Sequence, residues 1–95
     1  RSAALKELHG WSEVEDRDAI RKVLHFGTFA EAWAFMNHVA LLAEKMGHHP
    51  EWFNIGNRVE IILTTHDVAG LSELDLRLAH AIDEIAPERD RLRTP

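Results

Sequence analysis

Residues 28–47 constrain the fold more than any other stretch, because both ends of one long helix are written into them. Thr28 and Glu31 have the spacing of a capping box, in which the hydroxyl takes an orphan amide and the carboxylate reaches back. Apolar residues then recur at Phe29, Trp33, Met36, Ala40 and Ala43, with a second row through Phe35, Val39, Leu42 and Met46. Both rows follow the helical repeat. Gly47 stands where a helix end wants a left-handed residue, since it has no Cβ to clash. Pro50 cannot continue a helix and pushes His49 toward an extended backbone. The apolar face is broader than one sheet contact needs. Either the helix lies deep in a small core, or one side packs on a sheet and the other on a partner subunit.

The flanking segments alternate short strands and helices. Ser2 to His9 read as a first helix, capped by Ser2 and stopped by Gly10. Trp11 to Val14 read as extended, and Glu15-Asp16-Arg17-Asp18 as a polar turn. Ala19 to Phe26 form a second strand with Ile20, Leu24 and Phe26 on one parity, an alternation that Lys22 breaks. After the long helix, Trp52 to Ile55 and Arg58 to His66 read as strands joined at Gly56-Asn57. The second of these has the stronger pattern, with Val59, Ile61, Leu63 and Thr65 on one face. Ser72 and Asp75 then fit a helix cap with an acidic third residue, and Leu71 and Leu76 occupy staple positions. Leu78, Ile82 and Ile85 give this last helix its buried stripe, and Pro87 ends it. The order α-β-β-α-β-β-α predicts an α+β fold: a four-stranded antiparallel sheet with helices on one face. One domain over residues 1–95 is expected, with residues 88–95 as a frayed tail.

Composition narrows the function classes. The chain has no cysteine, so neither a disulfide framework nor a thiolate metal site is available. A net charge of -5 argues against direct nucleic-acid binding, which needs a basic patch. No apolar run reaches the about 18 residues of a membrane span. No secretory leader is visible, so a soluble intracellular protein is expected, cytoplasmic and also nuclear if the source is eukaryotic.

The chemistry concentrates in two places. Glu44-Lys45-Met46-Gly47-His48-His49-Pro50-Glu51-Trp52 presents two adjacent histidines on a stiff segment just past a helix end. Thr64-Thr65-His66-Asp67 supplies a third at a strand end. Adjacent side chains on extended backbone point to opposite sides, so one metal ion rarely takes both, and no HExxH pattern is present. A metal site is therefore disfavoured; acid–base chemistry is one reading of the pair, because imidazole exchanges protons near neutral pH, and a plain surface pair is another. The rival reading of His48-His49 is a helix terminus where a protonated ring meets the dipole. Glu44, four residues before His48, can orient that ring if the helical turn persists so far. The strand end exposes backbone groups that can pair edge-on with a flat heterocycle. Trp52 either lines such a site or belongs to the core, and the core is the better reading. His9, His25, His38 and His80 read as ordinary solvated or hydrogen-bonded residues.

These residues resemble those of the pterin-4a-carbinolamine dehydratases, also called dimerisation cofactors of a hepatocyte nuclear factor. The likeness runs from Gly10 to about Ala86. It is carried by Gly10-Trp11, Arg17-Asp18-Ala19-Ile20, Phe35-Met36, Val39-Ala40-Leu41 and Ala43-Glu44-Lys45. Its most specific parts are His48-His49-Pro50-Glu51-Trp52-Phe53-Asn54, Thr65-His66 and Gly70-Leu71-Ser72-Glu73. The resemblance implies an α+β fold whose subunits dimerise through their sheets and form tetramers through the long helix. It implies dehydration of 4a-hydroxytetrahydropterin to the quinonoid dihydropterin, without metal or organic cofactor, in recycling the pterin of aromatic amino-acid hydroxylases.

By the same resemblance His48, His49 and His66 are the catalytic histidines. His48 and His66 are expected to share the proton transfers, and His49 to hold the pterin. Glu44, Gly47, Trp52, Thr64, Thr65 and Asp67 are the expected substrate contacts. Gly47 stands where many members have Asp, so a side-chain contact from there is missing. Gly56 replaces a common aromatic and Leu74 a usually charged residue. Some relatives also act as transcriptional coactivators by binding a homeodomain factor through the long helix, which is the alternative, non-enzymatic expectation.

Overall fold

The computed structural model describes residues 5, 7, 8, 10–65 and 70–87. Its elements are β1 (Ser12–Glu13), β2 (Ile20–His25), α1 (Phe29–Met46), β3 (Glu51–Ile55), β4 (Arg58–Leu63) and α2 (Glu73–Ile85). The strands make one sheet in the order β1-β2-β4-β3, antiparallel at every pairing. This is the α+β fold expected, with both helices on one face. The first helix, Ser2 to His9, lies largely outside the described residues, and so does the 88–95 tail. Leu8 is nevertheless buried, and its amide bonds the Leu5 carbonyl at 3.1 Å.

Strand alternation decides which face is covered. Ile20, Leu24, Val59, Ile61 and Leu63 point inward and join Val39 and Ala43 of α1 with Leu78 and Ile82 of α2 in one core. Burying each large side chain in this way contributes about 1.5–3 kcal/mol. The outer face carries Arg21, His25, Phe53 and Ile55, all exposed. Both caps of α1 match their sequence signals. The Thr28 hydroxyl accepts the Glu31 amide at 3.1 Å, and Gly47 adopts φ 65°. The Gly56-Asn57 turn joins β3 to β4, with Gly56 at φ 55°.

Two strand expectations need correction. Lys22 does not interrupt the alternation of β2; it lies on the inward face and is 3% exposed. Its ammonium meets Asp83 Oδ1 of α2 at 2.9 Å, and the Trp11 indole donates to the same oxygen at 2.9 Å. A buried charge of this kind is tolerated because it is paired. The fourth strand was expected to run to His66 but stops at Leu63. Leu63 pairs with Ile20, the first residue of β2, and Ile62 with Glu51, the first of β3, so both neighbours run out together. Thr65 pairs again only as a bridge to Gly70.

Candidate active site

The helix stop aims the two histidines apart. The His48 amide bonds the Ala43 carbonyl and the Gly47 amide the Glu44 carbonyl, each at 3.1 Å. This pair of bonds is a Schellman closure, and it satisfies carbonyls that the helix end would leave open. Beyond it His48 enters the interior while His49 faces solvent. His48 is 8% exposed; the His49 side chain is 67% exposed.

His48 meets α2. Its Nε2 lies 2.5 Å from Oδ1 of Asp75, which is 0% exposed. The other oxygen, Oδ2, accepts the Thr65 hydroxyl at 2.7 Å and the Ser72 amide at 2.9 Å. Three donors on two oxygens satisfy a buried carboxylate. Asp75 is also the acidic third residue of the α2 capping box, where a negative charge favours the helix dipole. With Asp75 as a carboxylate, which only accepts, the contact calls for the proton on His48 Nε2, and Nδ1 is the ring nitrogen turned away from Asp75. Thr65 spends its one proton on Asp75, so in its 2.5 Å contact with Ser72 it accepts from the serine hydroxyl. The Thr65 hydroxyl, the Ser72 amide and the His48 imidazole thus converge on one carboxylate.

Asp75 therefore joins the two stretches singled out in the sequence, His48 and Thr65, from opposite oxygens. Sequence reading took Asp75 as a cap residue alone. The signal was present, because an acid at that helix position uses one oxygen locally and leaves the other free to turn inward.

The remaining candidates divide. Glu44 does not reach His48 as anticipated; it bonds His49 Nε2 at 3.1 Å, on the surface. The reason is that the helical spacing ends at Met46 and the left-handed Gly47 swings the chain round. Gly47 is exposed with open space around it. Trp52 is half-buried and packs against the core, the reading favoured for it. Thr64 is buried, its hydroxyl donating to the Asp18 carbonyl at 3.0 Å. His66 and Asp67 lie outside the described residues.

The surrounding loop is tied down from the far side of the chain. The Arg17 guanidinium donates to both Glu51 oxygens, at 2.7 and 2.8 Å. That hydrogen bonding first, and the charge of Glu51 second, raise the Arg17 guanidinium above its ordinary value. The pairing therefore persists through neutral pH and is lost as pH rises through the guanidinium range.

Comparison with known proteins gives the chain a family. A family model described as pterin 4 alpha carbinolamine dehydratase matches residues 1–85. A relative from Dinoroseobacter shibae named for that enzyme is 60% identical over 77 residues, covering 81% of this chain and 79% of its own. One from Burkholderia pseudomallei with the same enzyme name is 53% identical over 85 residues, covering 90% and 84%. A crystal structure described as a transcriptional coactivator/pterin dehydratase from Brucella melitensis superposes with a TM-score of 0.88. It is 45% identical and covers 90% of this chain and 92% of its own. With a family model spanning most of its length and relatives this close, the chain belongs to the pterin 4 alpha carbinolamine dehydratase family.

Proposed function

We propose that the protein dehydrates 4a-hydroxytetrahydropterin to the quinonoid dihydropterin and water, returning pterin to aromatic amino-acid hydroxylases. The observation that carries this reading is the Nε2 contact of His48 with the buried Asp75, in a chain of this family. In the reaction the bond from C4a to its hydroxyl oxygen breaks, the N5–H bond breaks, and a double bond forms between C4a and N5. Hydroxide is a poor leaving group, so an acid delivers a proton and the oxygen departs as water. A base takes the proton from N5, and the balance is neutral. Positioned acid–base groups accelerate such steps by about 10²–10⁴-fold.

His48 suits one of these tasks. Asp75 fixes the proton on its Nε2 and leaves Nδ1 for exchange with substrate. His66, which follows Thr65 directly in the chain, takes the complementary transfer in this reading. His49, steadied by Glu44 at the surface, holds the pterin. Thr64, Thr65 and Asp67 offer backbone groups to the heterocycle's edge, with Trp52 and Gly47 nearby in the chain. Dehydration rates of His48→Ala and His66→Ala test this directly, and full activity in both would exclude it.

A second role is favoured by one observation. Phe29, Trp33 and Leu41 of α1 are half or more exposed, with Phe29 and Trp33 forming a ring pair 6.2 Å apart. An isolated subunit rarely leaves such a row in water. We read it as the surface joining subunits into a tetramer, with the outer sheet face joining them into dimers. In the alternative reading the same helix binds the dimerisation segment of a homeodomain factor, as a coactivator without catalysis. Light scattering of the purified protein separates these: a stable tetramer supports the first, and a dimer that captures such a segment the second. Among the described residues no helix is long and apolar enough to cross a membrane, which fits a cytoplasmic setting.

A further inference from the structure

We infer that Asp18, in the turn between β1 and β2, is a positioning residue for the proposed active site. The inference rests on the dehydratase reading for its kinetic consequence, though not for its geometry. Asp18 reaches both sides of the Thr65–Gly70 bridge. Its backbone carbonyl accepts the Thr64 hydroxyl at 3.0 Å, and its Oδ2 accepts the Leu71 amide at 3.1 Å. Between these anchors the bridge itself closes with backbone bonds of 2.8 and 3.1 Å. The residues so clamped are neighbours of the catalytic network. Thr65 follows Thr64 and donates to Asp75; Ser72 follows Leu71 and gives Asp75 its amide. Asp75 in turn holds His48. A residue from a distant turn thus fixes both segments that orient the carboxylate.

Gly70 provides an independent reason to regard this approach as a built feature. A Cβ placed there would lie 2.4 Å from Asp18 Oδ2 and 3.2 Å from its Cγ. Gly70 does not have the left-handed backbone that usually calls for glycine. Space for the Asp18 carboxylate is what the position requires. Asp18 and Gly70 should therefore behave as one unit, and substitutions at the two should not add.

The experiment is a double-mutant cycle of Asp18→Ala, Gly70→Ala and the pair, with Asp18→Asn as the conservative variant. Each is read in three ways: kcat and KM for dehydration, thermal unfolding, and the 15N signals of the His48 ring, which report its tautomer. Asp18→Ala should lower kcat about tenfold with KM little changed, a modest misplacement by catalytic standards. Its His48 ring should leave the single Nε2–H form. Asp18→Asn should recover most of the rate, because an amide oxygen still accepts the Leu71 amide. Gly70→Ala should resemble Asp18→Ala, and the double variant should be no worse than either. Wild-type kcat and an unchanged His48 spectrum in Asp18→Ala would overturn the inference. So would additive losses in the pair, or equal losses in Asp18→Ala and Asp18→Asn. If the wild type shows no dehydration, the functional reading fails, while the cycle in stability and the His48 spectrum still decide the role of Asp18.

Discussion

Replacing Asp75 by Asn changes one oxygen for an amino group and almost nothing in shape. The structure places three donors on that side chain: His48 Nε2 on Oδ1, and the Thr65 hydroxyl and Ser72 amide on Oδ2. An amide offers one acceptor atom. If its oxygen faces Thr65 and Ser72, its NH₂ faces His48, whose proton must move to Nδ1 for any bond to survive. If the oxygen faces His48 instead, the Ser72 amide meets a second donor. A buried donor left unpaired costs about 1–3 kcal/mol. For a chain of this length about 2 kcal/mol corresponds to a fall of about 10 °C in the unfolding midpoint. The fold survives, because domains typically hold about 5–15 kcal/mol. Catalysis suffers more, since the wrong tautomer removes acid–base assistance worth about 10²–10⁴-fold. Thermal unfolding, stopped-flow dehydration and 15N spectra of the His48 ring measure the three effects on one sample. Ser72→Ala is the control: it removes the serine hydroxyl, leaves the Asp75–His48 pair, and should keep kcat. A folded Asp75→Asn protein with wild-type kcat would mean that Asp75 does not set the working tautomer of His48.

Four other variants test three separate parts of the structure. His49→Ala and Glu44→Ala remove an exposed pair, so unfolding should hardly move, within the about 0–1 kcal/mol of surface ion pairs, while KM for the pterin rises in steady-state assays. Asp83→Ala strands the buried Lys22 and the Trp11 indole together, and urea unfolding should show a loss of about 3–5 kcal/mol. Trp33→Glu places a charge in the exposed apolar row of α1; if that row joins subunits as proposed, light scattering should show a smaller particle than the wild type while circular dichroism is unchanged.

How much could be read beforehand followed from how local the cause was. The α1 boundaries were legible because Thr28, Glu31 and Gly47 act on the helix they bound. The α2 cap was legible for the same reason. The end of β4 was not, since it is set by where β2 and β3 stop, and pairing register is a property of three segments. Lys22 looked like an error in a strand because its partner, Asp83, lies 61 positions away in α2. The divergence of the two rings was legible as well, since adjacent side chains on a segment stiffened by Pro50 point to opposite sides. Glu44 was assigned to the wrong ring because a left-handed Gly47 breaks the four-residue spacing on which that assignment relied. Asp75 was seen with half its function: capping is readable from sequence, whereas an oxygen turned toward His48 depends on the packing of α2 against the end of α1.

In the proposed reaction His48, fixed by Asp75, moves a proton of the pterin. The most direct measurement is the rate of 4a-hydroxytetrahydropterin dehydration by the wild type and by folded His48→Ala at equal concentration. The wild type should accelerate the reaction clearly over buffer, and the variant should lose about 10²-fold or more. Equal rates in the two proteins, or none above buffer from a folded wild type, would contradict this role of His48.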